Sequence, residues 1–281
     1  MSSRFRRAWT GVAALLAVPG VLPSSAAAQN RVFPDVPSFE RPEASPRVHG
    51  LVARIISARH GDSRFGEEAE AEVALGENFP VLALRHGPNP ITLGFGSQVY
   101  ARFSLHDKKS ALISNDWVVG LNGTADLGAW AFTVEAYHES SHLGDEYEDR
   151  FDASRIDWTR DVLAGWVSYS AGHWRFTGSG SYALRDELRL GRSGGSFGVD
   201  FLPARRAGGG ALRPVGGLYV DASAATNWRL SGSLKAGIAL QASPTGREIG
   251  LALIAHDGLS TQRQFFRQES RYVGLEVRFD L

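Results

Sequence analysis

The amino-acid sequence predicts an all-β protein, a transmembrane antiparallel β-barrel of about twelve strands. Long segments alternate apolar and polar residues with period two, which indicates strands because successive strand side chains point to opposite faces. One face of these segments is continuously apolar, whereas the other carries charged residues and glycine, as in a barrel with lipid outside and a polar interior. After residue 28, no segment has the ~18 consecutive apolar residues of a spanning helix. A membrane-embedded form must therefore be a closed barrel.

The amino-acid composition excludes several classes of function. The 281 residues include 30 basic and 30 acidic side chains, so there is no basic excess to bind nucleic acid. The chain has no cysteine, which excludes a cysteine nucleophile, an iron–sulfur cluster and a thiolate zinc site. Its 32 glycines and 10% aromatic residues agree with many short alternating strands.

The N-terminus has the features of a secretory signal. Arg4, Arg6 and Arg7 precede a short apolar run, and Ala26 and Ala28 form a small-residue cleavage site. We therefore predict a signal peptide over residues 1–28. Residues 29–47 are rich in proline and are predicted to form a periplasmic N-terminal arm, and residues 48–281 are predicted to form the barrel.

The strand candidates share a polar face with charged residues on it. A soluble β-sandwich is the alternative, but its strands are mostly shorter, and charge on the inner face favours the membrane barrel. Tryptophans at strand starts (Trp117, Trp130, Trp174 and Trp228) are typical of an interfacial aromatic girdle. The charged positions predicted to face the interior are Arg102, Glu135, Arg175, Arg229, Lys235, Glu276 and Arg278.

Loop lengths predict the orientation. If the C-terminus lies in the periplasm, the short turns at 126–128, 170–173 and 243–246 are periplasmic, and the longer segments at 106–114, 143–153, 185–195 and 258–270 are extracellular. The last strand carries Tyr272, Gly274, Val277 and Phe279, which resembles the C-terminal signal of bacterial barrels. It implies the barrel-assembly machinery as a partner and the bacterial outer membrane as the location.

The strand candidate at 130–142 contains the candidate catalytic residues. Trp130, Phe132 and Val134 define its apolar face, and the same face continues upward to His138 and Ser140. A hydroxyl needs a neighbouring base to attack an ester, and two residues separated by one position lie on the same side of a strand. The pair therefore predicts either a catalytic site at the outer leaflet or polar side chains in the headgroup region.

The run from Tyr137 to Tyr147 resembles the hallmark of a bacterial outer-membrane family, domain of unknown function 1207. Similar flanks are Phe103-x-Leu105 and Ser114-Asn115-Asp116 before it, and the segment from Arg155 to Asp161 after it. The resemblance implies an outer-membrane protein and brings no proven activity.

A more distant resemblance is to outer-membrane phospholipase A and the lipid A deacylase barrel, which carry a His-x-Ser pair on the lipid face. It implies a serine acyl hydrolase acting on phospholipid or lipid A esters, with Ser140 as nucleophile and His138 as base. The phospholipase's polar orienting residue on the next strand is best matched by Asp157, with Thr159 and Asp161 behind it on the same face. The Asn-Gly that follows the phospholipase pair is replaced by Ser141-His142. A homodimer, and outer-membrane lipid or lipopolysaccharide as partner, are further expectations.

Two other functions remain open. Asp145, Glu146 and Asp149 follow the pair and could bind calcium, since carboxylates are its usual ligands. The barrel could instead be non-enzymatic, either a narrow pore or a structural protein with its lumen closed by Arg–Glu pairs. The face on which His138 and Ser140 lie distinguishes the hydrolase from these alternatives.

Overall fold

We analysed a computed structural model of the chain, which describes residues 30–36, 38–60, 69–84, 89–106, 110–203, 212–241 and 248–279. The predicted signal peptide lies outside the described residues. Within these ranges, twelve antiparallel strands form a closed barrel, because β3 pairs with both β2 and β4 while β13 pairs with β2. The short strand β1 (Arg31–Val32) pairs with the end of β3. The predicted fold class and strand number are confirmed.

The barrel strands are β2 (Leu51–His60), β3 (Ala69–Leu84), β4 (Ile91–Ser104), β5 (Leu112–Leu127), β6 (Trp130–Leu143), β7 (Thr159–Ala171), β8 (Trp174–Asp186), β9 (Ser193–Phe201), β10 (Leu212–Ser223), β11 (Ser231–Gln241), β12 (Glu248–Leu259) and β13 (Glu269–Phe279). One short helix, α1 (Asp145–Phe151), joins β6 to β7, and 3-10 turns form at Ala224–Thr226 and Arg263–Phe265. Of the helices described, none has the length and apolar character needed to cross a membrane.

Side chains alternate strictly across the wall. On β6, Phe132 and Val134 are exposed on the outside, whereas Thr133 and Glu135 are buried inside. The same pattern exposes large apolar residues on every barrel strand, including Leu121 on β5, Leu163 on β7 and Leu253 on β12. A continuous apolar outer surface of this extent is stable only against lipid.

Aromatic rings mark one rim of this apolar belt. Trp130 at the start of β6 packs on Tyr169 at the end of β7, with 4.6 Å between ring centroids. Trp174 packs on Phe201 at 5.1 Å on the neighbouring strands. Rings with an apolar body and a polar edge favour the membrane interface. Trp130 and Trp174 thus occupy the girdle predicted for them.

Charged side chains fill the interior as ion pairs. Arg102, fully buried, donates to Glu72, while Arg54 donates to Glu276 over 2.7 Å and Lys235 approaches Glu276 at 2.8 Å. Burying an ion without a partner costs several kcal/mol, so these groups must pair across neighbouring strands. The predicted interior positions agree with this pattern except Arg229, which lies just before the start of β11 and is exposed.

The N-terminal arm, expected in the periplasm, enters the lumen. After β1 the chain crosses the inside of the barrel, where Arg41 donates to Glu135 over 2.6 Å and Lys235 donates to Glu43 over 2.8 Å. Burial by itself would raise the pKa of Glu43, but the charges of Lys235 and Arg278 hold it at about 2. Opposite charge on the barrel wall therefore stabilises the arm inside.

The outer loop between β12 and β13 enters the lumen from the other side. Arg102 donates to the Thr261 hydroxyl over 3.1 Å, and Ser114 donates to the Gln262 side chain over 3.0 Å. Arg47 of the arm donates to the Thr261 backbone carbonyl over 3.0 Å, so arm and loop touch each other. The two segments together cross the lumen from opposite ends.

Candidate active site on the lipid-facing wall

His138 and Ser140 lie on the outer face of β6, toward the end of the strand that the loop lengths predict to be extracellular. Their neighbours Glu139 and Ser141 are buried and face the lumen, and the alternation along β6 continues without a break. Val119 on β5 is paired with His138, and Leu163 on β7 is paired with Ala136 one step below, so the pair lies at the upper border of the apolar belt. The pair therefore faces lipid, as the hydrolase hypothesis requires.

The register between β6 and β7 gives His138 a carboxylate. His138 lies opposite Asp161, and the imidazole Nδ1 lies 2.7 Å from Asp161 Oδ1 with both side chains 42% exposed. A carboxylate only accepts, so this contact places the proton on Nδ1 and leaves Nε2 as a free acceptor. That tautomer is the one a general base needs.

Asp157, the residue that the sequence favoured as orienter, does not contact His138. It lies just before β7 and accepts a hydrogen bond of 3.2 Å from the Thr159 hydroxyl. Asp157 and Asp161 are four positions apart along the chain, about 13 Å at the rise of a strand. The assignment therefore moves to Asp161, which sequence analysis had placed behind Asp157 on the same face.

Ser140 is half-buried between aromatic and polar neighbours. It pairs with Trp117 on β5 and with Thr159 on β7, and the Trp117 indole donates to Asn115 over 2.8 Å. Among the described contacts no hydrogen bond joins His138 to Ser140. Catalytic hydrogen bonds are often long before substrate binds, so the shared face and the free Nε2 are the relevant geometry.

Glu139 anchors this part of β6 from the lumen side of the barrel wall. Its carboxylate accepts hydrogen bonds from Arg47 over 2.8 Å, from Arg263 over 2.9 Å and from the Trp158 indole over 3.0 Å. These donors come from the N-terminal arm, the β12–β13 loop and the segment before β7. Charge-assisted bonds on a buried acceptor hold a backbone firmly, so the two flanking outer residues have a rigid support.

The calcium prediction receives no support from the fold. Asp145, Glu146 and Asp149 are exposed on α1, which instead packs through Tyr147 against Phe265 with 5.5 Å between ring centroids. In the part of the chain that the structure describes, no group of three or more histidine, aspartate or glutamate side chains is placed to hold a metal ion.

Barrel closure, the apolar belt and the charged interior define the class of the protein: it is a bacterial outer-membrane β-barrel. Residues 25–281 match the family described as protein of unknown function (DUF1207), and the chain belongs to that family. No curated protein is significantly similar in sequence.

Solved structures of similar fold include outer-membrane phospholipases. The calcium-bound dimer of the Salmonella typhi enzyme is 12% identical, with a TM-score of 0.59 over 86% of this chain and 93% of that chain. The Escherichia coli enzyme is 13% identical, with a TM-score of 0.58 over 83% of this chain and 97% of that one. At this identity the similarity establishes the fold.

Proposed function

We propose that the protein is a serine acyl hydrolase that cleaves ester bonds of phospholipid or lipid A in the outer leaflet. Ser140 is the nucleophile, His138 the general base and Asp161 the residue that orients the imidazole. The observation that carries the proposal is the 2.7 Å contact between His138 and Asp161 on the lipid-facing wall, one position from Ser140 on that face.

The chemistry follows from these positions. Ser140 Oγ attacks the ester carbonyl carbon while its proton passes to His138 Nε2, and the bond to the alcohol breaks as the alcohol oxygen takes that proton from His138. Water then gives a proton to His138 and attacks the acyl carbon. The bond to Ser140 Oγ breaks, Oγ takes the proton from His138, and the fatty acid and the free serine are released. The Asp161 carboxylate stabilises the imidazolium that forms in each half-reaction.

The location suits a lipid substrate. The site opens sideways at the top of the apolar belt, where ester groups of a bilayer lie next to the headgroups. Barrels of this fold include proteins named as phospholipases, so such an architecture can carry this activity. A homodimer would cover part of the same wall and remains a prediction.

The lumen argues against the pore alternative. The arm and the β12–β13 loop meet inside the barrel through Arg47 and Thr261, and ion pairs such as Arg41–Glu135 fix the arm to the wall. A solute crossing the barrel would have to break these buried contacts, each costly to leave half-paired.

Fatty-acid release tests the proposal. The mature barrel, refolded in mixed micelles with either phospholipid or lipid A, is compared with Ser140→Ala. Ser141→Ala is a matched control, since this adjacent serine is buried and faces the lumen. We expect release by wild type and by Ser141→Ala, and none by Ser140→Ala. Folded wild-type protein, identified by its heat-modifiable migration, that releases no fatty acid from either lipid would refute the proposal.

A further inference from the structure

The outer wall of β12, β13 and β2 carries a row of three charged residues, Asp257, Arg271 and Arg59, which we call the outer-wall row. Asp257 on β12 lies directly opposite Arg271 on β13, and Arg271 lies directly opposite Arg59 on β2. All three side chains are exposed, and Arg271 Nη2 lies 2.9 Å from Asp257 Oδ2. These strands are on the other side of the barrel from β6, so the row is separate from the candidate active site.

The outer-wall row has two guanidinium groups for one carboxylate. Arg271 and Arg59 carry the same charge on opposite positions of neighbouring strands, an arrangement that destabilises a sheet unless an anion lies nearby. Glu269, two positions before Arg271 on β13, is itself paired with Arg229 over 2.8 Å. The acidic side chains described on this part of the wall are thus each shared with an arginine, and an anion from outside would be attracted to the row.

The row lies at the border of the apolar belt, at the end of the strands predicted to be extracellular. Arg271 is eight positions from Phe279, the last residue of β13. Eight residues span about 27 Å along a strand, or about 20 Å of membrane depth at the tilt of barrel strands, which is close to the height of the apolar band. The exposed apolar residues below the row are Val273, Leu253 and Ile55. The arginines therefore face the headgroup layer, and the wall beneath them faces acyl chains.

We infer that Arg271 and Arg59 bind a phosphate group of a phosphorylated glycolipid, lipid A, in the outer leaflet. Directly opposite residues have Cα atoms about 5 Å apart, so both guanidinium groups reach one phosphate, which they recognise through paired N–H donors. Among the described contacts only Nη2 of Arg271 has a partner, and its other N–H groups are available to the phosphate.

The charge of the ligand distinguishes lipid A from glycerophospholipids. A phosphate monoester, as in lipid A, carries about 1.5–2 negative charges at neutral pH, whereas the phosphodiester of a glycerophospholipid carries a single one. Two arginines therefore favour the monoester. Asp257 binds Arg271 through Oδ2, and its other oxygen can accept a hydrogen bond from a sugar hydroxyl of the glycolipid.

Native mass spectrometry of the refolded mature barrel tests the inference. All samples carry Ser140→Ala, so hydrolysis cannot remove the ligand and the result does not depend on the proposed function. The barrel, in an amine-oxide detergent that contains no phosphate, is titrated with lipid A, with the same lipid A stripped of its phosphates, and with phosphatidylglycerol. We expect lipid A to bind at least tenfold more tightly than either of the other two. No binding of lipid A, or equal affinity for the stripped form, would overturn phosphate recognition, and equal affinity for phosphatidylglycerol would overturn lipid A as the occupant.

Two variants locate the binding. Arg271→Gln removes one guanidinium group from the outer-wall row and should weaken lipid A binding about tenfold, the effect of one charge-assisted contact. Arg185→Gln removes the same charge from the exposed outer face of β8, where Arg185 pairs with Glu187, and should leave the affinity unchanged. Equal losses in the two variants would indicate a general attraction between the charged wall and the lipid, and an unchanged affinity of Arg271→Gln would exclude the row; either result overturns the site.

Discussion

Arg47 of the N-terminal arm donates a hydrogen bond of 2.8 Å to Glu139, the residue between His138 and Ser140 on β6. The same guanidinium also bonds Asp116 on β5 and the Thr261 carbonyl in the β12–β13 loop. One side chain therefore connects the arm, two wall strands and the outer loop at a single point inside the barrel. The segments that cross the lumen and the strand that carries the candidate site are mechanically joined there.

We expect Arg47→Met to loosen the arm and open the lumen. The substitution removes three charge-assisted bonds and leaves Asp116 and Glu139 with fewer donors, a loss in the range of about 3–5 kcal/mol for a broken buried pair. Planar-bilayer recordings should show no stable conductance for wild type and frequent openings for the variant. Arg267→Met, at an exposed arginine of the outer loop, is the control. Equal conductance of wild type and Arg47→Met would contradict this role.

Asp161 and Asp157 give a sharp test of the orienting residue. Because Asp161 contacts the imidazole and Asp157 only the Thr159 hydroxyl, Asp161→Asn should lower the rate of ester hydrolysis by about 10²-fold or more. Asp157→Asn should change it by less than about twofold, as expected for an exposed polar contact. Initial rates of fatty-acid release measure both. The reverse order of effects would return the role to Asp157.

The face of a strand on which a residue lies could be predicted from the sequence, but which of the two aspartates contacts His138 could not. Period-two alternation on β6 predicted correctly that His138 and Ser140 share the outer face. Which residue lies opposite them depends on the β6–β7 register. The segment between the two strands contains α1 and an irregular stretch, so the sequence pattern does not predict that register. The path of the N-terminal arm through the lumen could not be predicted from the sequence for a related reason. Contacts such as Arg41–Glu135 join residues 94 positions apart and leave no local signal.

His49 should make docking of the arm depend on pH. Burial, aided by the charges of Arg41 and Arg278, lowers the pKa of His49 well below 6.5, and its Nδ1 accepts a hydrogen bond of 2.8 Å from Asn78. His49 is therefore neutral when the arm is docked in the lumen. Its stability is complete above about pH 6.5 and decreases as pH falls below that value, because only the undocked histidine gains a proton.

Thiol labelling measures this dependence. The chain has no cysteine, so Ser45→Cys places a single thiol in the buried part of the arm. Labelling rates are compared at pH 7.5 and 5.5 in backgrounds with His49 and with His49→Gln, which keeps hydrogen-bonding capacity but does not titrate in this range. The ratio between the two backgrounds cancels the pH dependence of the thiol. We expect labelling to be relatively faster at pH 5.5 with His49, and a constant ratio would exclude the mechanism.

The buried ion pairs of the wall should dominate barrel stability over the exposed ones. Arg102 is fully buried against Glu72, whereas Arg271 forms a 2.9 Å pair with Asp257 in which both side chains are about 70% exposed. Arg102→Met leaves Glu72 buried with fewer cationic partners, so the free energy of unfolding should fall by about 3–5 kcal/mol. Arg271→Met breaks a solvent-screened pair and should leave it nearly unchanged. Urea titrations in lipid vesicles, followed by heat-modifiable gel migration, measure both variants. A larger loss for Arg271→Met would mean that the outer surface, rather than the interior network, determines the stability of this barrel.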